Sequence, residues 1–211
     1  MGRWKKKTIA YKSYQKLAYL HPKYFKADKK IISKYGLDNI KYFIIRSVSL
    51  TAHHDKKIRG LSNTIVEKLI KTLSPYGKVF ISSERKLSKD LQQYVLKINP
   101  LDIHHVISFS SLLIGDSQSM AHEAAILGTP SIRFNDFVDR IGVLNELEYK
   151  YGLTFGISPN EPKQLIQKAT ELANCDKNIF LKKASKMMED MIDLPLFVTW
   201  FIENYPESFK I

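Results

Sequence analysis

Ser111-Leu112-Leu113-Ile114-Gly115-Asp116-Ser117-Gln118-Ser119-Met120-Ala121-His122-Glu123-Ala124-Ala125-Ile126-Leu127-Gly128-Thr129-Pro130 decides the fold. Ser111 to Gly115 is a short apolar run that reads as a buried strand. A turn of small polar residues follows, then a helix over residues 119–127, closed by Gly128 with Pro130 beyond it. Ser131-Ile132-Arg133-Phe134 reads as the next strand. Working outward, Tyr42 to Ile45 and Lys78 to Ser82 are rich in aromatic and β-branched residues and read as strands. Between them, Ile65, Val66, Leu69, Ile70 and Leu73 recur at helical spacing, and Pro75-Tyr76-Gly77 stops that helix. Leu101 to Ser110 reads as a short helix and Leu153 to Ile157 as a fifth strand. Residues 162–173, 178–192 and 196–203 read as helices. This alternation predicts an α/β fold: a single Rossmann-like, doubly wound parallel sheet with helices on both faces. Ligands of such sheets sit beyond the carboxyl ends of the strands, so chemistry is expected just after each strand.

The turn before the 119–127 helix suits an anion. A helix start exposes backbone N–H groups and the positive end of the dipole. Ser117 and Ser119 add hydroxyl donors, and together they make a ready site for a diphosphate. Glu123 lies one helical turn past Ser119 on the same face, where its carboxylate could accept both hydroxyls of a ribose. A purely structural reading stands beside this one: a serine caps the helix and Glu123 pairs with the dipole.

Composition narrows the classes. Hydrophobic residues make up 44% of the 211 residues and aromatics 11%, enough for a packed core and too much for a disordered chain. No apolar run reaches the ~20 residues of a membrane helix, and no apolar segment follows Lys5-Lys6-Lys7 as a signal peptide requires. The single cysteine, Cys175, has no disulfide partner, which points to a reducing, cytoplasmic setting, and no metal site or cofactor is expected. The net charge is +12, and residues 1–34 carry Arg3 and ten lysines against Asp28 alone. The excess therefore belongs to an N-terminal arm, residues 1–38, expected to pack loosely ahead of a domain over 39–211, although Tyr19, Leu20 and Phe25 could dock on the sheet. Such an arm could bind nucleic acid, but it is almost all lysine, without an arginine cluster, and nucleic acid ranks last among the partners.

Three further segments fall at strand ends. Arg46-Ser47-Val48-Ser49-Leu50-Thr51-Ala52-His53-His54-Asp55 follows the first strand. Its imidazoles could bridge phosphate and sugar, with Asp55 orienting one ring; a shared metal is disfavoured because adjacent side chains point apart. A capped turn is the structural alternative. Ser82-Ser83-Glu84-Arg85 follows the second strand, where Arg85 could reach a phosphate or a base, or simply face solvent. His104-His105 precedes the third strand, and His104 could line a base pocket. Phe197, Trp200 and Phe201 form an apolar face on the last helix, to be covered by the sheet or by a partner.

The segment from Asp116 to Pro130 resembles the nucleotide-sugar signature of the non-hydrolysing UDP-N-acetylglucosamine 2-epimerases and their glycosyltransferase-B relatives. Asp116, Ser117, Glu123, Leu127, Gly128 and Pro130 match it, whereas Gln118 and Ser119 stand where the family has two glycines. Tyr19-Leu20-His21-Pro22, Arg46 to Ser49, Ala52 to Asp55 and Ser82-Ser83-Glu84 more closely resemble an uncharacterised prokaryotic family grouped with those enzymes. The resemblance implies Ser117 and Ser119 on a diphosphate, Glu123 on a ribose, and His53 facing the substrate from a loop that resembles a Gly-His-Arg motif. The substrate-binding candidates are thus Ser117, Gln118, Ser119, Glu123, His53, His54, Arg46, Ser83 and Arg85, with no catalytic residue assigned. The signature belongs to the second of two domains in that superfamily, and the first has no counterpart before residue 39. The expectation is a UDP or UDP-sugar binding half of an epimerase or glycosyltransferase-like protein of surface polysaccharide biosynthesis. It would be incomplete for catalysis alone and completed by a first-domain partner chain or a second copy. The alternative is a non-catalytic interaction module or a subunit of a split two-domain protein.

Overall fold

A computed structural model describes residues 8–49 and 58–210. Among these, five strands form one parallel sheet: β1 (Tyr42–Ser47), β2 (Lys78–Ser83), β3 (Leu112–Gly115), β4 (Ser131–Phe134) and β5 (Thr154–Ile157), in the order β2-β1-β3-β4-β5. The helices are α1 (Leu17–Leu20), α2 (Lys29–Ser33), α3 (Asn63–Leu73), α4 (Ile103–Phe109), α5 (Gln118–Ile126), α6 (Gly142–Tyr149), α7 (Pro162–Asn174), α8 (Lys177–Glu189) and α9 (Leu194–Glu203). The doubly wound α/β fold read from the sequence is the fold observed.

Strand alternation divides the core into two layers. Phe43 and Ile45 of β1 and Leu112 and Ile114 of β3 point to one face, with Val66 and Leu69 of α3 and Leu165 and Ala169 of α7. Tyr42, Ile44 and Leu113 point to the other, against Ile32, Val106, Ile107 and Ala124. Burial on both faces explains why the strands read as continuous apolar runs.

The chain moves from β1 outward to β2 through α3, then returns to β3 beside β1 and proceeds through α5 to β4 and β5. Connections from β1 and β3 therefore leave in opposite directions and open a crevice at their carboxyl ends. Gly128 ends α5 at φ +71°, with Thr129 N–H on the Ala124 carbonyl (2.8 Å) and Gly128 N–H on that of Ala125 (3.1 Å). This paired closure needs a left-handed residue, and it aims the chain into β4.

One expectation is corrected, and one helix is added. The N-terminal arm does not pack loosely where it is described: Tyr14, Leu17 and Leu20 are buried in the core, and Ser13 Oγ donates to the Ile192 carbonyl (2.9 Å). Its apolar residues, spaced three apart, dock α1 against α5 and α9 despite the surrounding lysines. Helix α6, unread in the sequence, supplies Leu144 and Leu147 to the same core. On α9 only Leu194 is buried, and Leu196, Trp200 and Ile202 are exposed; Phe197 packs on Tyr11, with ring centroids 6.1 Å apart. No helix among the described residues is long and apolar enough to cross a membrane.

Candidate functional site

The crevice is organised by Asp116, the first residue after β3. Its side chain is fully buried, and its carboxylate accepts from Val48 N–H (2.8 Å), Leu61 N–H (3.1 Å) and the Arg85 guanidinium. Burial raises its pKa, opposed by those backbone donors and by Arg85. Arg85 also donates to the Leu61 carbonyl (2.6 Å) and to that of Val48. One ion pair thus joins the segments that follow β1, β2 and β3 and the approach to α3. Gly60 is required there, because a Cβ would lie 2.4 Å from Asp116 Oδ2. Arg85, predicted to reach the ligand, spends these donors on the loops. Asp116 was legible only as a motif match; its role depends on partners 31 to 68 residues away in sequence.

Ser117 caps α5, its Oγ accepting from Met120 N–H (3.3 Å). Gln118 donates through Nε2 to Asn135 Oδ1 (2.6 Å), and Asn135 in turn donates to the Asp116 carbonyl (3.3 Å). Ser119 is exposed on the first turn. Met120 N–H is thus taken by the Ser117 cap, and the positive dipole end of α5 lies just beyond the carboxyl end of β3.

Beside this turn lies a cavity of about 320 Å³. Arg46 and Ser83 form its polar edge, while Ile81, Leu96, Ile103 and Met120 supply apolar walls. Arg46 donates to Ser82 Oγ (2.9 Å) and to the Glu84 carboxylate, and its buried Nε has no partner among the described residues. Ser83 Oγ accepts from Arg85 N–H (3.0 Å). A concave, largely apolar site with a few fixed polar groups is the usual form of a small-molecule pocket.

Glu123 is 8% exposed and already engaged. Its Oε1 accepts from Lys16 Nζ (3.0 Å) and Tyr19 Oη (2.8 Å), and its Oε2 lies 3.2 Å from His104 Nε2. Burial by itself would raise its pKa, but the hydrogen bonds from His104, Tyr19 and Lys16 win and hold it down to about 2. His104 therefore faces Glu123, while His105 Nδ1 accepts from Asp28 N–H (3.0 Å). The structure brings Arg46, Ser83, Arg85, Ser117, Gln118 and Ser119 to one edge of the sheet, with Glu123 one turn deeper. His53 and His54 lie outside the described residues. Among the described residues no group of three or more His, Cys, Asp or Glu side chains could hold a metal ion.

The single Rossmann-like sheet and its helices are similar in fold to part of several solved glycosyltransferase and epimerase structures. Superposition with a protein assigned as UDP-N-acetylglucosamine 2-epimerase from Listeria monocytogenes gives a TM-score of 0.60 at 13% identity, over 91% of this chain and 52% of that one. S. aureus MnaA, in a co-structure with UDP, gives 0.58 at 15% identity over 92% and 54%. CalG4, the calicheamicin glycosyltransferase, gives 0.53 at 15% identity over 78% and 42%. The chain spans about half the length of these proteins or less. At the level of sequence, residues 5–194 match a family model, and the chain belongs to that family, described as Protein of unknown function (DUF354). No curated protein matches the sequence.

Proposed function

We propose that the chain binds UDP or a UDP-sugar, and that it is the counterpart of the C-terminal, nucleotide-sugar-binding half of a glycosyltransferase-B or 2-epimerase protein. The cavity of about 320 Å³ that adjoins the first turn of α5, at the β1/β3 switch point, carries this reading. The apolar walls suit a base, and Arg46 and Ser83 its polar edge. The α5 N-terminus suits the diphosphate, where fixed dipoles stabilise negative charge without reorganising. MnaA, with the same fold, has been seen with UDP. In this reading residues 39–211 are the nucleotide-sugar domain and residues 1–38 an arm that reaches Glu123 through Lys16 and Tyr19. A facing surface, from another chain or a second copy, supplies the remaining catalytic groups, and the pathway is surface polysaccharide synthesis in the cytoplasm.

Calorimetric titration with UDP tests this. A ligand at 100 times its Kd also stabilises the fold by about 2.7 kcal/mol, readable as a raised Tm. Ile98→Trp, which fills the cavity, should lose UDP binding at least tenfold and still melt cooperatively. Binding of UDP unchanged by that substitution refutes the placement. A second reading, an interaction module that binds no nucleotide, is favoured by one observation: Glu123 is held by three of the chain's own side chains. Absence of any nucleotide binding would establish it.

A further inference from the structure

Helix α9 is apolar on every side. From Leu194 to Ile202 it carries no charged residue, and Thr199 is its one polar side chain. Such a composition belongs to a helix covered all round. Yet Leu194 is the only buried residue on it, and Phe197 and Phe201 are half-buried. Leu196 and Trp200, one turn apart, share the outer face, and Ile202 widens it. Leu196 is 60% exposed and Ile202 66%. Tyr205 and Phe209, just past the helix, are exposed as well. An apolar patch of this kind marks a surface that something covers.

The lysine-rich segment is fastened to the start of this helix. Ile192 N–H donates to the Lys12 carbonyl (2.9 Å), and Lys23 Nζ donates to Asp193, the α9 cap (2.9 Å). Lys12, Lys23 and Lys26 are exposed on that segment. Residues 8–34 hold seven lysines against Asp28 alone. Acids around α9 are answered within the chain: Asp193 by Lys23 and Tyr24, Asp190 by Lys150 (3.0 Å), and Glu207 by Lys210. Glu203 lies at the far end of the helix. The patch is therefore bordered by positive charge where the arm meets it, and it complements an anionic partner.

Three kinds of occupant compete for it. A second copy would bring the same positive border against itself. A helix of 10 residues is also only about 15 Å long, and offers far less than the about 800 Å² per partner of a stable dimer. A folded protein is recognised through fixed hydrogen bonds, about one per 100–200 Å², and the stripe offers Thr199 alone. A lipid surface needs no matched shape or bonds. It takes Trp, Leu and Ile into the boundary of headgroups and acyl chains, and anionic headgroups attract lysines. We propose that α9 and the adjoining lysine-rich segment form a docking surface for an anionic lipid bilayer. Leu196, Trp200 and Ile202 enter the boundary, and Lys12 and Lys26 meet the phosphates. The helix lies on the bilayer and is too short to cross it. This inference stands apart from the nucleotide-binding reading.

Vesicle flotation of the full chain tests it, with phosphatidylcholine alone and with phosphatidylcholine containing phosphatidylglycerol. The chain should bind the anionic vesicles at least tenfold more tightly than the neutral ones, and less tightly as salt is raised. Leu196→Ser with Trp200→Ser, both at exposed positions, should keep the far-UV circular dichroism of the parent and lose binding at least tenfold. Lys12→Glu with Lys26→Glu should weaken it several-fold. Trp4→Phe leaves Trp200 as the only tryptophan, and brominated lipid should quench its emission. Absence of binding to anionic vesicles, or equal binding to neutral ones, overturns the inference. So do binding that survives the α9 substitutions and Trp200 emission that brominated lipid leaves unquenched. Sedimentation showing a dimer that the α9 substitutions dissociate would give the face to a second copy, and overturns it too.

Discussion

Glu123→Gln removes one charge and keeps the shape of the side chain. In the folded protein the carboxyl titrates at about 2, against an ordinary value of 4.5. At about 1.4 kcal/mol per pKa unit, the ionised form stabilises the fold by roughly 3 kcal/mol at neutral pH. Water at the rim of the group reduces this to about 2 kcal/mol. For a chain of this size that corresponds to a fall in Tm of about 4–8 °C. The sign follows from a depressed folded pKa: the contribution is complete above 4.5 and is lost as pH falls toward 2. Melting curves of parent and variant, followed by near-UV circular dichroism between about pH 7 and pH 2.5, should show a gap widest at neutral pH. That gap should narrow steadily below about pH 4.5. A gap under about 2 °C at pH 7, or one that does not change with pH, would refute the assignment of Lys16, Tyr19 and His104 as the partners that ionise Glu123.

Gly60→Ala should cost about 1–3 kcal/mol, because the new Cβ meets Asp116 Oδ2 at 2.4 Å while that carboxylate is pinned by its own donors; denaturant titration reads it directly. Arg85→Met should destabilise by about 3–5 kcal/mol, since it strands a buried Asp116, and the double substitution Arg85→Met with Asp116→Asn should recover part of the loss. Tyr19→Phe frees a lone pair on Glu123, so it should cost about 1 kcal/mol of stability yet tighten UDP binding if the carboxylate meets the ribose; unchanged affinity would remove Glu123 from the site. If the lysine-rich arm binds nucleic acid, that binding should fall steeply with salt, whereas UDP binding in the cavity should change far less.

The class of fold was legible because local pattern reports it. Strands buried on both faces leave short apolar runs, β4 (Ser131–Phe134) was bounded to the residue, and the apolar spacing from Ile65 to Leu73 marked α3. Gly128 announced the end of α5 because few other residues tolerate φ +71°. The turn before α5 and its serine cap were equally visible, since a helix start is a property of neighbouring residues. Other features depended on contacts between distant parts of the chain. Nothing local distinguishes a lysine-rich leader from one whose Tyr14, Leu17 and Leu20 enter the core, because the lysines dominate composition while three apolar residues determine packing. Strand order is likewise a global outcome, and only the order β2-β1-β3-β4-β5 places the crevice between β1 and β3. The sequence named Glu123 and Arg85 as polar groups near a ligand edge, but their partners came from the tertiary structure. Lys16 lies 107 residues from Glu123, and Asp116 lies 31 from Arg85. A side chain's charge state and its freedom to meet a ligand are set by whatever the fold packs against it, and periodicity along the chain carries no record of that.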